Sequence, residues 1–180
     1  MNDPAITIRR LHAIDERSLS DLCAVLIDCV EGGASVGFMH PMTMDRAERF
    51  WRRVQSDVAC GARAVLVAQD SQGVCGTVQL VLDLPDNQPH RADVVKMLVH
   101  RRARRRGLGA ALMKEVERVA MQEGRTLLVL DAVTSGNAAR LYERLGWVRV
   151  GDIPNYALMP DGAPCGTTYY YRDLSPLQRG

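Results

Sequence analysis

The sequence predicts one α/β domain whose strands and helices follow the order β-α-α-β-β-β-α-β-α-β-β. Three observations carry this expectation. Apolar residues recur at steps of three and four in four segments, short β-branched runs lie between them, and no stretch reads as a linker or an internal repeat. A chain of 180 residues can bury most of its apolar surface in one core, so the expected domain spans residues 1–180. With 47% hydrophobic and 24% charged residues, collagen-like, low-complexity and disordered classes are excluded.

Residues 5–11 (AITIRRL) read as a strand with Ile6 and Ile8 on one face. Leu19, Leu22, Cys23, Leu26, Ile27 and Val30 then form a helical stripe over 18–31, with Ser18 placed to cap it and Gly32-Gly33 to stop it. A second helix over 43–60 carries Met44, Ala47, Trp51, Val54 and Val58 and stops at Gly61. Between the two lies GGASVGFMHP, which composition alone leaves open as a site-lining loop or a tight turn packed on the core. Residues 63–69 and 74–82 are strands joined by Asp70-Ser71-Gln72-Gly73, a hairpin. After a polar loop over 83–90, the run 92–99 (ADVVKMLV) is a mostly buried strand. Leu108, Leu112, Val116 and Val119 mark a helix over 107–124, followed by a buried strand at 126–130. Ala138, Leu141, Tyr142 and Leu145 mark a fourth helix over 136–145, stopped by Gly146. Strands at 147–150 and 167–174 close the pattern, separated by a Pro- and Gly-punctuated loop.

Charge is distributed unevenly. The net charge is +2, yet Arg101, Arg102, Arg104, Arg105 and Arg106 fall within six residues that hold no acid, and subtracting those five leaves −3 for the rest. A broad nucleic-acid surface is not expected from that balance. No basic segment followed by an apolar run opens the chain, and the longest apolar stretch, 22–27, is too short to cross a bilayer, so a cytoplasmic protein without membrane contact is expected. Five widely spaced cysteines show no metal-ligand spacing, so reduced thiols and no metal are expected, with Cys23 and Cys29 as small core hydrophobes.

The arginines precede a particular arrangement. A strand leads into a short basic loop, Gly107 and Gly109 remove side chains, and a helix begins. Free N–H groups at a helix start bind phosphate oxygens, and arginines reinforce a diphosphate. The run is not a Walker loop, because no Gly-Lys-Ser/Thr follows, nor a dinucleotide fingerprint, because Leu112 stands where the third glycine belongs. A solvated basic loop is the second reading and a nucleic-acid contact a distant third.

Here the chain resembles a family. Arg104-Arg105-Arg106-Gly107-Leu108-Gly109 fits the R-x-x-G-x-G/A motif of the GNAT N-acetyltransferases, and the block 137–147 (NAARLYERLGW) resembles that family's second motif. The segments GGASVGFM, RADVVKMLV and YALMPDG further resemble its tabtoxin-resistance branch, which acetylates a β-lactam amino-acid toxin. The resemblance implies a single GNAT-type domain with a mixed central sheet of seven strands flanked by four helices. It also implies acetyl-CoA as donor and direct transfer to a primary amine of a small molecule.

The resemblance further implies site residues. The backbone of Arg104, Arg105, Arg106, Gly107, Leu108, Gly109 and Ala110 would hold the pyrophosphate, and main-chain groups of Leu98 and Val99 the pantetheine arm, where the fourth strand parts from the fifth. Asn137 would contact pantetheine, its alternative being a helix cap. Tyr142 matches the acid that protonates the departing sulfur, its alternative being a core residue with a satisfied hydroxyl. Asp93, or second Asp131 at the end of its strand, would take the amine proton through water, and His90 is a weaker candidate. Gly33, Ser35, Phe38 and Tyr156, from the loops at 32–39 and 152–166, would meet the acceptor. A homodimer accords with the family. Two competing readings are a protein or peptide amine acetyltransferase and a non-catalytic acyl-CoA sensor.

Overall fold

A computed structural model describes residues 6–175. Ala5, where the first strand was expected to begin, and the domain ends at 1–5 and 176–180 lie outside the described residues. The elements are β1 (Thr7–Leu11), α1 (Glu16–Glu31), α2 (Met44–Ala59), β2 (Arg63–Asp70), β3 (Gly73–Val81), β4 (Arg91–Val99), α3 (Leu108–Gln122), β5 (Leu127–Val133), α4 (Asn137–Arg144), β6 (Val148–Leu158) and β7 (Pro164–Asp173). The strands form one sheet in the order β1-β2-β3-β4-β5-β7-β6. Among the described residues only β4 and β5 run parallel, and every other neighbouring pair is antiparallel. The α/β class, element order and mixed sheet are those the sequence predicts.

Cores lie on both faces. Val65, Val67 and Leu98 pack with Leu22, Leu26, Ala47, Trp51 and Val54, which places α1 and α2 on one side. Leu66, Val78, Val94 and Leu128 pack with Leu112, Met113, Val116, Ala139 and Tyr142, which places α3 and α4 on the other. The alternation of β2 supplies both cores at once, because successive side chains of a strand point to opposite faces. Among the described residues, no helix is long and apolar enough to cross a membrane.

Several local expectations change. Asp15 caps α1, its carboxylate accepting from the Ser18 amide at 2.7 Å, so the helix starts two residues before the expected Ser18 and buries that serine within its first turn. Thr43 does cap α2. Met44 is 53% exposed, so the buried stripe of α2 is Ala47, Trp51 and Val54. The expected loop over 152–166 is largely a hairpin. Its strand β6 is the edge of the sheet, exposed along most of its length, and therefore shows no hydrophobic alternation to read. Pro154 is tolerated there because an edge strand has one side without a ladder, and the pairing slips between Ile153 and Ala157. Strand β5 likewise continues past Asp131 to Val133, held by its pairing to Thr167.

Leu112 is fully buried where α3 crosses β3, and a Cβ on Gly76 would sit 3.2 Å from its Cδ1. Leu112→Ala is expected to lower unfolding free energy by about 3 kcal/mol, measured by urea denaturation.

Candidate active site at the parting of two strands

Strands β4 and β5 pair over only three residues, Arg91 to Asp93 against Leu127 to Val129. Beyond that point β4 stays with β3 while β5 stays with β7, so a cleft opens between two strands of one sheet. A bulge in β4 accompanies the parting. Gln79 faces Val95 and Thr77 faces Leu98, so Lys96 and Met97 together oppose the single residue Val78. Lys96 has φ 53, the left-handed region that a residue bearing a Cβ seldom occupies. The extra residue reverses the facing of β4: Ala92 and Val94 reach the α3 core before it, whereas Met97 and Val99 do so after it.

The bulge also decides which peptide groups face the cleft. The His100 amide donates to the Cys75 carbonyl at 2.9 Å, so alternation along the antiparallel ladder gives Leu98 its bonds to Thr77 and turns Val99 away from β3. The Val99 carbonyl accordingly accepts from Arg104 Nε at 3.1 Å and from the Cys29 thiol at 3.5 Å. The Val99 amide thus faces away from β3, as does the main chain of Met97 two residues before it, whereas the peptide groups of Leu98 are spent in the ladder. Sequence reading did not single out Met97, because a bulge leaves no mark in hydrophobic periodicity.

The first turn of α3 closes the far end of the cleft. Gly107 is its N-cap residue at φ 75, with no side-chain cap and nothing within 4 Å of where a Cβ would stand. The amides of Leu108, Gly109 and Ala110 therefore end the helix without intrahelical partners, at the positive pole of its dipole. Gly109 serves another purpose. A Cβ there would lie 3.0 Å from Leu141 Cδ2, so the residue lets α3 and α4 approach closely.

The arginine cluster divides by role. Arg101 pairs with Asp28 of α1, and Arg102 pairs with Asp70 at the end of β2, a carboxylate only 4% exposed. Both clamp the loop, whose Arg101–Ala103 turn buries Ala103 completely. Arg104 lies against Val99 and within 3.7 Å of the Cβ position of Gly32 at the C-terminal end of α1. Burial alone would raise the Asp70 pKa, but hydrogen bonds from Arg102 and the Gln72 amide overcome it and hold the carboxyl below its ordinary value.

Side chains reach the cleft from both faces. From the α4 side comes Tyr142, 5% exposed, its ring 6.0 Å from Trp147 and 5.9 Å from Tyr170. Its hydroxyl takes no hydrogen-bond partner among the described residues, unlike the satisfied core tyrosine that was the alternative. Burial pushes its pKa up, and the charges of Asp131 and Tyr170 add to that. Asn137 is the first residue of α4 and Gly136 the cap, with no side-chain cap bond, so the capping role considered for Asn137 is not the one it has.

From the α1–α2 side the direct cross-strand pairs place Arg63, Asp93 and Tyr171 in one row and Asp131 and Tyr169 in the next. Asp93 is paired with Arg91 at the closed end of the cleft. Asp131 lies beyond the parting, is exposed, and accepts from Thr167 Oγ1 at 2.9 Å. The Tyr156 and Tyr169 hydroxyls are 2.9 Å apart; this bond, burial and the nearby charges of Asp131 and Asp93 raise the Tyr169 pKa to about 12. His90 lies in the β3–β4 connection, where its carbonyl accepts the amides of Thr126 and Leu127.

Two segments wall this face. Ala34, Val36 and Phe38 of the α1–α2 loop pack on the core, and Phe38 meets Phe50 edge-on at 5.3 Å. Ser35 Oγ donates to the Leu158 carbonyl at 3.1 Å and the His40 amide to the Pro160 carbonyl at 2.9 Å, so the loop is joined to the β6–β7 hairpin. Gly33 and Gly37 turn it at φ 84 and φ 86. The loop is thus both packed on the core and beside the cleft.

Comparison with known proteins agrees with this geometry. A family model described as Acetyltransferase (GNAT) domain matches residues 61–149. An uncharacterized N-acetyltransferase from the hisH-hisA intergenic region of Azospirillum brasilense is 30% identical over 128 residues, covering 70% of this chain and 74% of that protein. An N-acetyltransferase from Staphylococcus aureus Mu50 has the same fold, with TM-score 0.78, 18% identity and coverage of 95% of this chain and 99% of that one. So does yncA from Salmonella typhimurium, solved with its cofactor acetyl-CoA, with TM-score 0.78, 18% identity and coverage of 97% and 96%. The chain belongs to the GNAT family of N-acetyltransferases. It is an acetyltransferase.

The Asp70 carboxylate yields a pH prediction. Its folded pKa is depressed, so its stabilisation is present above the unfolded carboxylate pKa of about 3.9 and is lost as pH falls through the folded value. Asp70→Asn is expected to cost about 2 kcal/mol near neutral pH, and the difference from wild type should shrink in urea denaturation below about pH 3.

Proposed function

We propose that this acetyltransferase moves the acetyl group directly to the primary amine of a small, amino-acid-like molecule. The observation that carries this reading is that Asp131, past the parting of β4 and β5, is paired with Tyr169 of the β6–β7 hairpin, whose Tyr156 and Tyr169 hydroxyls bond each other, and that the α1–α2 loop is joined to that hairpin. That junction narrows the approach, which disfavours the open groove a protein or peptide amine needs. The resemblance of GGASVGFM, RADVVKMLV and YALMPDG to the tabtoxin-resistance branch supports the same class and makes a β-lactam amino-acid toxin a candidate acceptor.

The residues present suit the donor. Acetyl-CoA supplies an activated acetyl thioester when bound. The unpartnered amides of Leu108, Gly109 and Ala110, with Arg105 and Arg106 in the preceding loop, would hold its pyrophosphate, and Gly107 leaves the approach open. Main-chain groups of Val99 and Met97 would align pantetheine along β4 as a substitute for the missing strand partner. Arg104 would keep Val99 in place, and Asn137 would contact pantetheine from the start of α4.

Proton transfers fall to the two faces of the cleft. Asp131 would accept the proton of the acceptor ammonium through water; Asp93 is the second candidate, its carboxylate already engaged by Arg91 at the closed end of the cleft. Tyr142, with a pKa held high, stays protonated at neutral pH and would deliver its proton to the leaving thiolate. Gly33, Ser35, Phe38 and Tyr156 would shape the acceptor side. A non-catalytic acyl-CoA sensor would not need an unpartnered tyrosine hydroxyl at the cleft.

A thiol-release assay with acetyl-CoA against small amines and protein amines tests the reading, and turnover of protein amines alone would overturn it. Tyr142→Phe is expected to lower kcat roughly a hundredfold with acetyl-CoA affinity within about twofold of wild type. Gly107→Glu should abolish acetyl-CoA binding in calorimetry, since it adds a carboxylate and strains φ 75 at the phosphate site. Asp131→Asn should lower kcat/KM by roughly a hundredfold, and more than Asp93→Asn.

A further inference from the structure

We infer that Lys96 is the residue that selects acceptors carrying a carboxylate near the amine. The inference rests on the small-molecule reading above and narrows its substrate class to amino acids and their close analogues.

Position is the first observation. Lys96 sits at the bulge of β4, and its left-handed backbone is a conformation a side-chain-bearing residue holds only where the surroundings enforce it. The bulge sends its side chain to the face that carries Asp93 and Asp131. There its Nζ lies 5.6 Å from the centre of the Phe38 ring and 5.8 Å from that of Phe50. Gly37 passes beside it, with a Cβ position 3.6 Å from Nζ, so the loop backbone and two rings hold the ammonium from one side.

The second observation is what this ammonium lacks. Arg63, Arg91 and Arg102 are partly buried too, and each has a carboxylate partner, Asp57, Asp93 and Asp70 in turn. Among the described residues Lys96 Nζ has ring faces only, and makes no hydrogen bond or ion pair. Burial pushes its pKa below the ordinary lysine value, Arg63 pushes the same way, and Asp131 opposes them. Ring faces offset only part of the cost of desolvating a cation, so the position favours an anion supplied from outside.

Charge placement then matches one ligand chemistry. Asp131 and Lys96 act on each other yet form no ion pair, so both stay open on the same face. An amino acid would lay its ammonium toward Asp131 and its carboxylate toward Lys96. Lys96 also repels the ammonium end, which sets the direction in which the amine enters the cleft. A lysine side chain of a protein, or an amine without a carboxylate, leaves Lys96 unpaired and repelling.

The test compares L-leucine with leucinamide, and L-lysine with cadaverine, as acceptors for wild type, Lys96→Met and Lys96→Arg. Wild type is expected to prefer the acid of each pair at least tenfold in kcat/KM. Lys96→Met should raise KM for the acid at least tenfold more than for its carboxylate-free counterpart, with Lys96→Arg recovering most of the preference. Equal losses on both members of a pair mark Lys96 as a packing residue and overturn the inference. Turnover of small amines with no preference for the carboxylate overturns it while leaving the small-molecule reading intact. Turnover of protein amines alone overturns both.

Discussion

The interaction on which this molecule depends is one that is missing: the backbone pairing of β4 with β5 beyond Asp93 and Val129. A sheet interior normally satisfies every peptide group by a neighbouring strand, and leaving some unpaired costs free energy unless water or a ligand supplies the partner. Here the neighbouring strands take opposite partners, β3 and β7, and the bulge at Lys96 and Met97 turns β4 aside. The result is a slot through a hydrophobic sheet, lined by peptide groups, reached from one face by Tyr142 and from the other by Asp131. A thioester donor with an extended amide-bearing arm fits a slot of that kind, since the arm can pair as a strand would.

The loop after β4 shows how charge can be concentrated without spoiling the fold. Five arginines in six residues would repel one another if left together. Arg101 and Arg102 are spent on Asp28 and Asp70, so each fastens the loop to a different element, α1 and the β2 end. Arg104 fastens it a third time to Val99, at the edge of the slot itself. The loop is thereby held rigid in front of the α3 amides, and its positive charge offsets part of the acidity elsewhere in the chain.

Much of this was legible in the residues. Hydrophobic period located four helices and the inner strands because those elements bury one defined face, and the R-x-x-G-x-G run marked the helix start because glycine there answers a backbone demand. Legibility failed where burial failed. Strand β6 was read as mostly loop, since an exposed edge strand imposes no alternation, and the Asp15 cap was missed because Ser18 offered an equally good capping chemistry. Leu98 was expected beside Val99 at the donor arm on resemblance, yet one extra residue in β4 leaves the Leu98 peptide groups in the ladder with Thr77. Lys96 was readable only as one lysine within an apolar strand.

By itself, then, the sequence determined the fold class, the family and the glycine-led start of α3, all of which follow from local periodicity and short motifs. Tertiary structure alone decided which arginines clamp the loop, which peptide groups stay unpaired, and which carboxylate lies past the parting of the strands. Those outcomes depend on pairing between residues far apart in the chain. A bulge of one residue reverses every facing that follows it, and periodicity carries no record of where a strand stops matching its neighbour.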